Sequence, residues 1–301
     1  MSKKMLSVYI IETLKRYSDQ EHQLLQSDII QYIQNNYNES FERKAVGRCI
    51  HELIDLDYDI VKDKGFYLNE RTFDKSEIQF LIDSLLSYKT LTRTQIKGIL
   101  EKIINDESYY TKRATHKIYD ISTVELSENQ ECLLNVEIIN EAIDSNKKIA
   151  FDYYEYGLDK KLHKKREKEY IVNPYKLIIS MNKYYLIGNY DKYDNLSNYR
   201  IDKIRNVKII DEKRKILNEQ INLPKYRLEH IYMFSGPSVD AKIKFENRII
   251  DQIIDWFSVE CTIVPCDDEY SYLYVRVNKN ALYYWLKQYN DHVILIEQNL
   301  I

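Results

Sequence analysis

Apolar residues in the first seventy positions recur at helical spacing. Leu6, Ile10, Leu14 and Tyr17 form a stripe, widened by Val8 and Ile11, which predicts an amphipathic helix over residues 3–17. Ser27, an N-cap candidate, opens a second helix carrying Ile29, Ile30 and Ile33. A third follows Ser40, with Phe41, Ala45, Cys49, Ile50 and Leu53 expected to face inward. Tyr58–Lys62 and Phe66–Leu68 then flank Asp63-Lys64-Gly65, where glycine can adopt the positive φ that a short hairpin needs. Residues 72–105 predict two helices joined around Thr90-Leu91-Thr92, a hinge segment, and residues 131–145 one more helix. From Ile149 the period changes to that of strands, at Ile149–Tyr154, Tyr170–Ile178, Lys183–Gly188, Tyr199–Ile204 and Val207–Ile210. Short strands separated by turns predict a small, mostly antiparallel barrel or sheet. Toward the C-terminus, Ala241–Phe245, an Ile249–Phe257 helix, Tyr272–Val277, a helix over 280–289 and His292–Ile296 predict a β-α-β-α-β unit.

These elements imply an α+β multidomain chain with boundaries at 1–70, 71–146, 147–214 and 215–301. Three short helices and a hairpin are the order of a winged helix-turn-helix, whose third helix enters a DNA major groove. Arg43, Gly47 and His51 are spaced by four, as are Lys44 and Arg48, so all five share the face opposite the apolar stripe. Arg43, Lys44 and Arg48 suit phosphates and guanine edges, and Gly47 would let the helix backbone approach closely. Lys62 and Lys64 add charge on the wing. A solvated helix face is the alternative reading, and the acids Asp55, Asp57 and Asp59 must then lie away from any duplex.

The 44 Lys and Arg against 47 Asp and Glu leave a net charge of −3, which taken alone argues against nucleic acid. The average hides a contrast. Residues 147–214 hold 17 basic against 10 acidic side chains, about +7, while the other three segments are each acidic; 10 of the 28 tyrosines fall in the same 68 residues.

Within that basic, tyrosine-rich stretch, Pro174-Tyr175, Lys183-Tyr184-Tyr185-Leu186 and Tyr199-Arg200-Ile201-Asp202-Lys203-Ile204 closely resemble the WYL domain of bacterial transcription regulators. Tyr184 stands at the first place of the family's Trp-Tyr-Leu triplet. The basic residue often found shortly before the Tyr-Arg pair is absent, with Leu196 and Ser197 nearby. The resemblance extends over nearly the whole chain and implies an N-terminal winged helix, a helical linker, an Sm/SH3-like WYL barrel and a C-terminal extension that contributes to dimer contacts. It also implies a sensor of nucleic acid or nucleotides. The residues agree on ligand class: tyrosine faces can stack bases and a Lys/Arg groove can follow phosphates. Tyr153, Lys183, Tyr185, Arg200 and Lys203 are the contact candidates, with His163 and Arg166 behind them. The alternative is that Tyr153 and Tyr185 are barrel core and that Arg200 pairs with Asp202. Strand alternation would set Arg200 and Asp202 on one face and Tyr199, Ile201 and Lys203 on the other.

No phosphate-binding glycine loop, nucleophile elbow or zinc-protease motif occurs, and the histidines (His22, His51, His116, His163, His230, His292) are scattered. Cys49, Cys132, Cys261 and Cys266 lack metal-ligand spacing and are expected to be reduced thiols. Neither a signal peptide nor a membrane span is evident, so a cytoplasmic location is expected. The chain is thus expected to be no enzyme and to need no cofactor. It is expected to be a homodimeric regulator that binds double-stranded operator DNA and answers to an oligonucleotide or nucleotide effector. The competing expectation is an RNA-binding or nucleic-acid-processing accessory protein that works through the barrel.

Overall fold

The computed structural model describes residues 5–105, 107–115, 126–217 and 220–300; residues 1–4, where the first helix is expected to begin, and His116 lie outside them. The chain forms two compact units, one built from Met1–Ser87 and Arg93–Glu125, the other from Tyr88–Thr92 and Leu126–Ile301.

The first unit opens with helices α1 (Leu6–Tyr17), α2 (Gln26–Tyr37) and α3 (Arg43–Asp55) and a hairpin of β1 (Ile60–Lys62) and β2 (Phe66–Leu68). Leu6, Ile10, Leu14, Ile29, Ile33, Val46, Ile50, Leu53, Ile60 and Phe66 form one core. Val46 takes a central place that the apolar spacing of the third helix had left to Ala45 and Cys49, which are only half-buried. The cap of α2 also differs from expectation. Leu25 is its N-cap, and its N–H donates to Asp28 Oδ2 at 2.8 Å, so Ser27 lies within the first turn.

Gly65 has a different role from the one expected. It does not take a positive φ; a Cβ there would lie 2.8 Å from the Leu24 carbonyl oxygen and 3.0 Å from Gln23 Cβ. The contact arises because Leu24 pairs with Phe66 through two backbone hydrogen bonds, of 2.9 and 2.8 Å, making a third rung beside the hairpin. Gly65→Ala is expected to cost about 1–3 kcal/mol, since backbone and not a pliable side chain must move. Urea unfolding of the full chain checks this, and an unchanged midpoint would remove the packing explanation.

Helices α4 (Lys75–Ser87), α5 (Arg93–Asn105) and α6 (Tyr109–Thr115) complete the first unit. In the second, Thr90 Oγ1 accepts the Tyr184 N–H at 3.1 Å and the Thr90 carbonyl accepts from Cys132 Sγ at 3.0 Å, so this short connection is part of the barrel's packing. Helix α7 (Cys132–Asp144) belongs there too. Expected within the linker, it buries Cys132, Ile139 and Ala142 against Ile149, Phe151, Val172, Leu186 and Ile204.

The barrel segment consists of β3 (Lys147–Tyr156), β4 (Leu162–Lys164), β5 (Tyr170–Ser180), β6 (Lys183–Asn189), β7 (Ser197–Arg200) and β8 (Ile204–Lys213). All pairings are antiparallel, in the order β4-β3-β5-β6-β7, and β8 returns to pair with β3, giving a curled sheet. After the seven-residue helix α8 (Leu223–Glu229) come β9 (Ser238–Glu246), α9 (Ile250–Phe257), β10 (Thr262–Pro265), β11 (Tyr270–Asn278), α10 (Lys279–Gln288) and β12 (Val293–Leu300). This is β-α-β-β-α-β, one strand more than expected, with sheet order β10-β11-β9-β12. The added strand is four residues long, ends in proline and lies on an edge, so no alternation announces it. Among the described residues, no helix is long and apolar enough to cross a membrane.

Candidate nucleic-acid interface

The outer face of α3 carries Arg43, Lys44, Arg48 and His51, all exposed, as are Lys62 and Lys64 on the hairpin. Arg43 Nε donates to Gln26 Oε1 at 3.2 Å. Gly47 is not an open approach for a duplex. Its missing Cβ leaves room for that same Gln26, whose Nε2 would sit 2.8 Å from a side chain there. The exposed acids Asp55, Asp57 and Asp59 follow at the end of α3 and beyond it, away from the N-terminal turns that carry the arginines.

In the curled sheet much of the positive balance is compensated locally. Lys147 pairs with Asp211, Lys148 with Asp191 and Glu212, Lys164 with Asp152, Lys165 with Glu155 and Lys208 with Glu169. Tyrosine abundance is likewise partly structural, because Tyr170, Tyr175, Tyr185 and Tyr199 are buried, and Phe151 packs on Tyr170 and Tyr199 at 5.6 and 5.3 Å.

What remains is a focused site at the start of β6 and the end of β7. Tyr185 lies directly opposite Arg200, and Lys183, two residues before Tyr185, shares its face of the sheet. The strand ends at Arg200, where Ile201–Lys203 form a turn of 3₁₀ helix. The expected alternation therefore stops there. The turn brings Asp202 back under Arg200, whose Nε donates to Asp202 Oδ1 at 3.0 Å, and it leaves Lys203 close enough to feel the Arg200 charge. Asp202 is buried and Arg200 retains partial exposure. Tyr153 accepts the Arg200 backbone N–H at 3.2 Å through its hydroxyl, and burial pushes that hydroxyl's pKa up to about 12.

The turn itself is clamped from below. Asn129 Nδ2 donates to the carbonyls of Ile201, Asp202 and Ile204 at 3.3, 3.2 and 2.8 Å, and Asn135 Nδ2 reaches Ile204 at 3.0 Å. Both asparagines are essentially fully buried, so the turn holds one geometry.

Lys183 and Lys203 make no salt bridge among the described residues. Burial, then the neighbouring Arg200 charge, holds the pKa of each below the ordinary lysine range. Three cations facing one buried carboxylate leave an excess of positive charge in a partly desolvated site, which favours an anion. Tyr156, exposed and with its ring 5.3 Å from Lys203 Nζ, offers an aromatic face there. Neither Tyr156 nor the carboxylate role of Asp202 stood out in the sequence; only cross-strand placement reveals them.

Two candidates are held elsewhere. Arg166 lies 3.6 Å over the Tyr170 ring and donates to the carbonyls of Lys168 and Glu169 at 3.0 and 2.9 Å, so it fastens its own loop. His163 pairs with Asp159 at 2.9 Å at the exposed end of the β3–β4 hairpin. Tyr185 packs with Ile178, Ile187, Tyr226 and Met233 as wall and not as an open stacking surface.

Residues 135–209 match the WYL domain. That span runs from α7 into β8 and contains Tyr153, Lys183, Tyr185, Arg200, Asp202 and Lys203, so the site described above lies inside a WYL domain, as the motif resemblance implies. No curated protein matches the chain in sequence. Among solved structures, proteasome accessory factor B/C (PafBC) of Arthrobacter aurescens is similar at 14% identity with a TM-score of 0.30, over 99% of this chain and 46% of that one. The chain thus spans about half the length of that structure.

Proposed function

We propose that this chain is a DNA-binding transcriptional regulator whose WYL domain senses an anionic, nucleic-acid-like effector. The observation that carries the proposal is the Lys183–Arg200–Lys203 cluster around Asp202 within the WYL domain. In this reading α1 to β2 form a winged helix. Arg43, Lys44, Arg48 and His51 face the major groove, Lys62 and Lys64 lie on the wing, and two copies of the chain read the half-sites of a palindrome. The barrel is an Sm-like sensor and no reaction is catalysed.

Arg200→Ala is expected to weaken binding of a short oligonucleotide effector about tenfold or more, with duplex affinity in the absence of effector unchanged. Fluorescence anisotropy with each ligand checks both. Equal loss of both activities would instead make Arg200 a structural arginine.

The depressed lysine pKa values give a pH signature. An anion stabilises the protonated lysines, so its binding raises their pKa and affinity must fall as pH climbs through the depressed values. The fall is expected at lower pH than exposed lysines would produce, and it should vanish when Lys183 and Lys203 are both replaced by Gln. A flat profile over that window would contradict the assignment.

A further inference from the structure

The C-terminal sheet presents a second surface that the effector site does not use. Helices α9 and α10 cover one face of it, burying Ile253, Phe257, Leu282 and Trp285 against Val239, Ile243, Phe245 and Leu273. On the central strands the alternate positions point the other way. They carry Tyr270, Tyr272, Tyr274 and Arg276 on β11 and Asp240, Lys242 and Lys244 on β9, none of them buried.

The register joins these residues into a pattern. Tyr272 is opposite Lys244 and Tyr274 opposite Lys242. Lys242 Nζ stands 4.4 Å from the Tyr272 ring centre and 5.5 Å from that of Tyr274, while Lys244 Nζ stands 4.2 Å from the ring of Tyr270. Three phenol rings thus repeat every second residue, about 6.8 Å apart along one strand, with two ammonium groups among them. A groove of about 300 Å³ beside Tyr274 is bordered by Lys242, Arg276, Asp240, Glu297 and Asn299.

We infer that this open face binds single-stranded nucleic acid. A four-stranded β-α-β-β-α-β sheet with aromatic side chains on its central strands is a surface on which two or three unpaired bases can stack. Ring faces accept any base, and the lysines beside them meet the phosphates. In the groove the Asn299 amide and the Asp240 and Glu297 carboxylates can meet base amino groups, which an unpaired strand exposes and a duplex does not. Arg276 is already engaged by Glu229 and Asp240, at 3.6 and 3.4 Å, so Lys242 and Lys244 carry the phosphate contacts. Two such contacts imply weak binding with a shallow salt dependence, a slope of log affinity on log salt of about −1.4.

The test uses the full chain and 5′-labelled dT12 and rU12, with single-base photo-crosslinking followed by peptide mapping. Crosslinks are expected on Tyr270–Arg276. Tyr272→Ala with Tyr274→Ala should weaken affinity at this site by roughly 5- to 150-fold for each base stack lost, whereas the corresponding Phe substitutions should retain it. Comparing dT12 with rU12 distinguishes DNA from RNA as the strand. Crosslinks confined to the Lys183–Arg200–Lys203 site, or equal affinity of the Ala and wild-type chains with no crosslinks on β11, would overturn the inference and leave the proposed effector site standing. Crosslinks on β11 that persist in Arg200→Ala would support it even if that site binds no oligonucleotide.

Discussion

Replacing Arg43 and Arg48 together by Gln is expected to lower affinity for a specific duplex by about 10²- to 10³-fold, since two good major-groove contacts are worth roughly 1–3 kcal/mol each. Both side chains are exposed on α3, and the one bond between them and the rest of the unit, from Arg43 to Gln26, is itself exposed. Stability should therefore stay within about 0.5 kcal/mol of the wild type, so lost binding would not report unfolding. A duplex selected by the purified protein from random sequence, titrated by anisotropy at fixed salt, provides the measurement. Undiminished binding would remove α3 as the reading element and favour a protein that meets nucleic acid mainly through its barrel.

Asp202→Ala is expected to have the largest effect on stability of any single change at the WYL site. The carboxylate is buried and takes a two-pronged contact from Arg200, and Lys183 and Lys203 lie within its field. Removing one partner of a buried pair costs about 3–5 kcal/mol. Arg200 is 23% exposed, and solvent reaching it puts the expectation near the lower end. The midpoint of thermal unfolding should fall by roughly 6–12 °C. With the carboxylate gone, the three cations repel one another, so an anion bound among them should restore part of the loss; at 100 times its Kd a ligand contributes about 2.7 kcal/mol. A variant as stable as wild type would mean that Asp202 does not hold the cluster together.

Much of the architecture was legible along the chain because it repeats. The stripe Leu6–Ile10–Leu14 and the alternation Val239–Ala241–Ile243–Phe245 each reflect burial of one face, a property of a single segment. What stayed hidden depends on segments meeting. Gly47 and Gly65 looked like backbone freedom in sequence, yet each makes room for a neighbour, Gln26 in one case and the Gln23–Leu24 backbone in the other. Arg166 looked like a ligand contact because it is basic and sits among tyrosines; its guanidinium is spent on Tyr170 and two carbonyls. At the WYL site the types Lys183, Arg200 and Lys203 were visible as charge, whereas the arrangement was not. It needs the strand to stop at Arg200 and Asn129 to hold the following turn, and neither leaves a periodic trace.

Regulation requires that the barrel site and the duplex-binding face be coupled, so the most direct measurement is duplex affinity with and without a saturating short oligonucleotide. In the wild-type chain the effector is expected to shift that affinity by about 5- to 150-fold, the range of ordinary allosteric coupling. In a chain carrying Lys183→Gln, Arg200→Ala and Lys203→Gln the shift should disappear while effector-free duplex affinity is kept. A wild-type affinity indifferent to the oligonucleotide, or a shift of equal size in the substituted chain, would contradict the assignment of this cluster as the sensor.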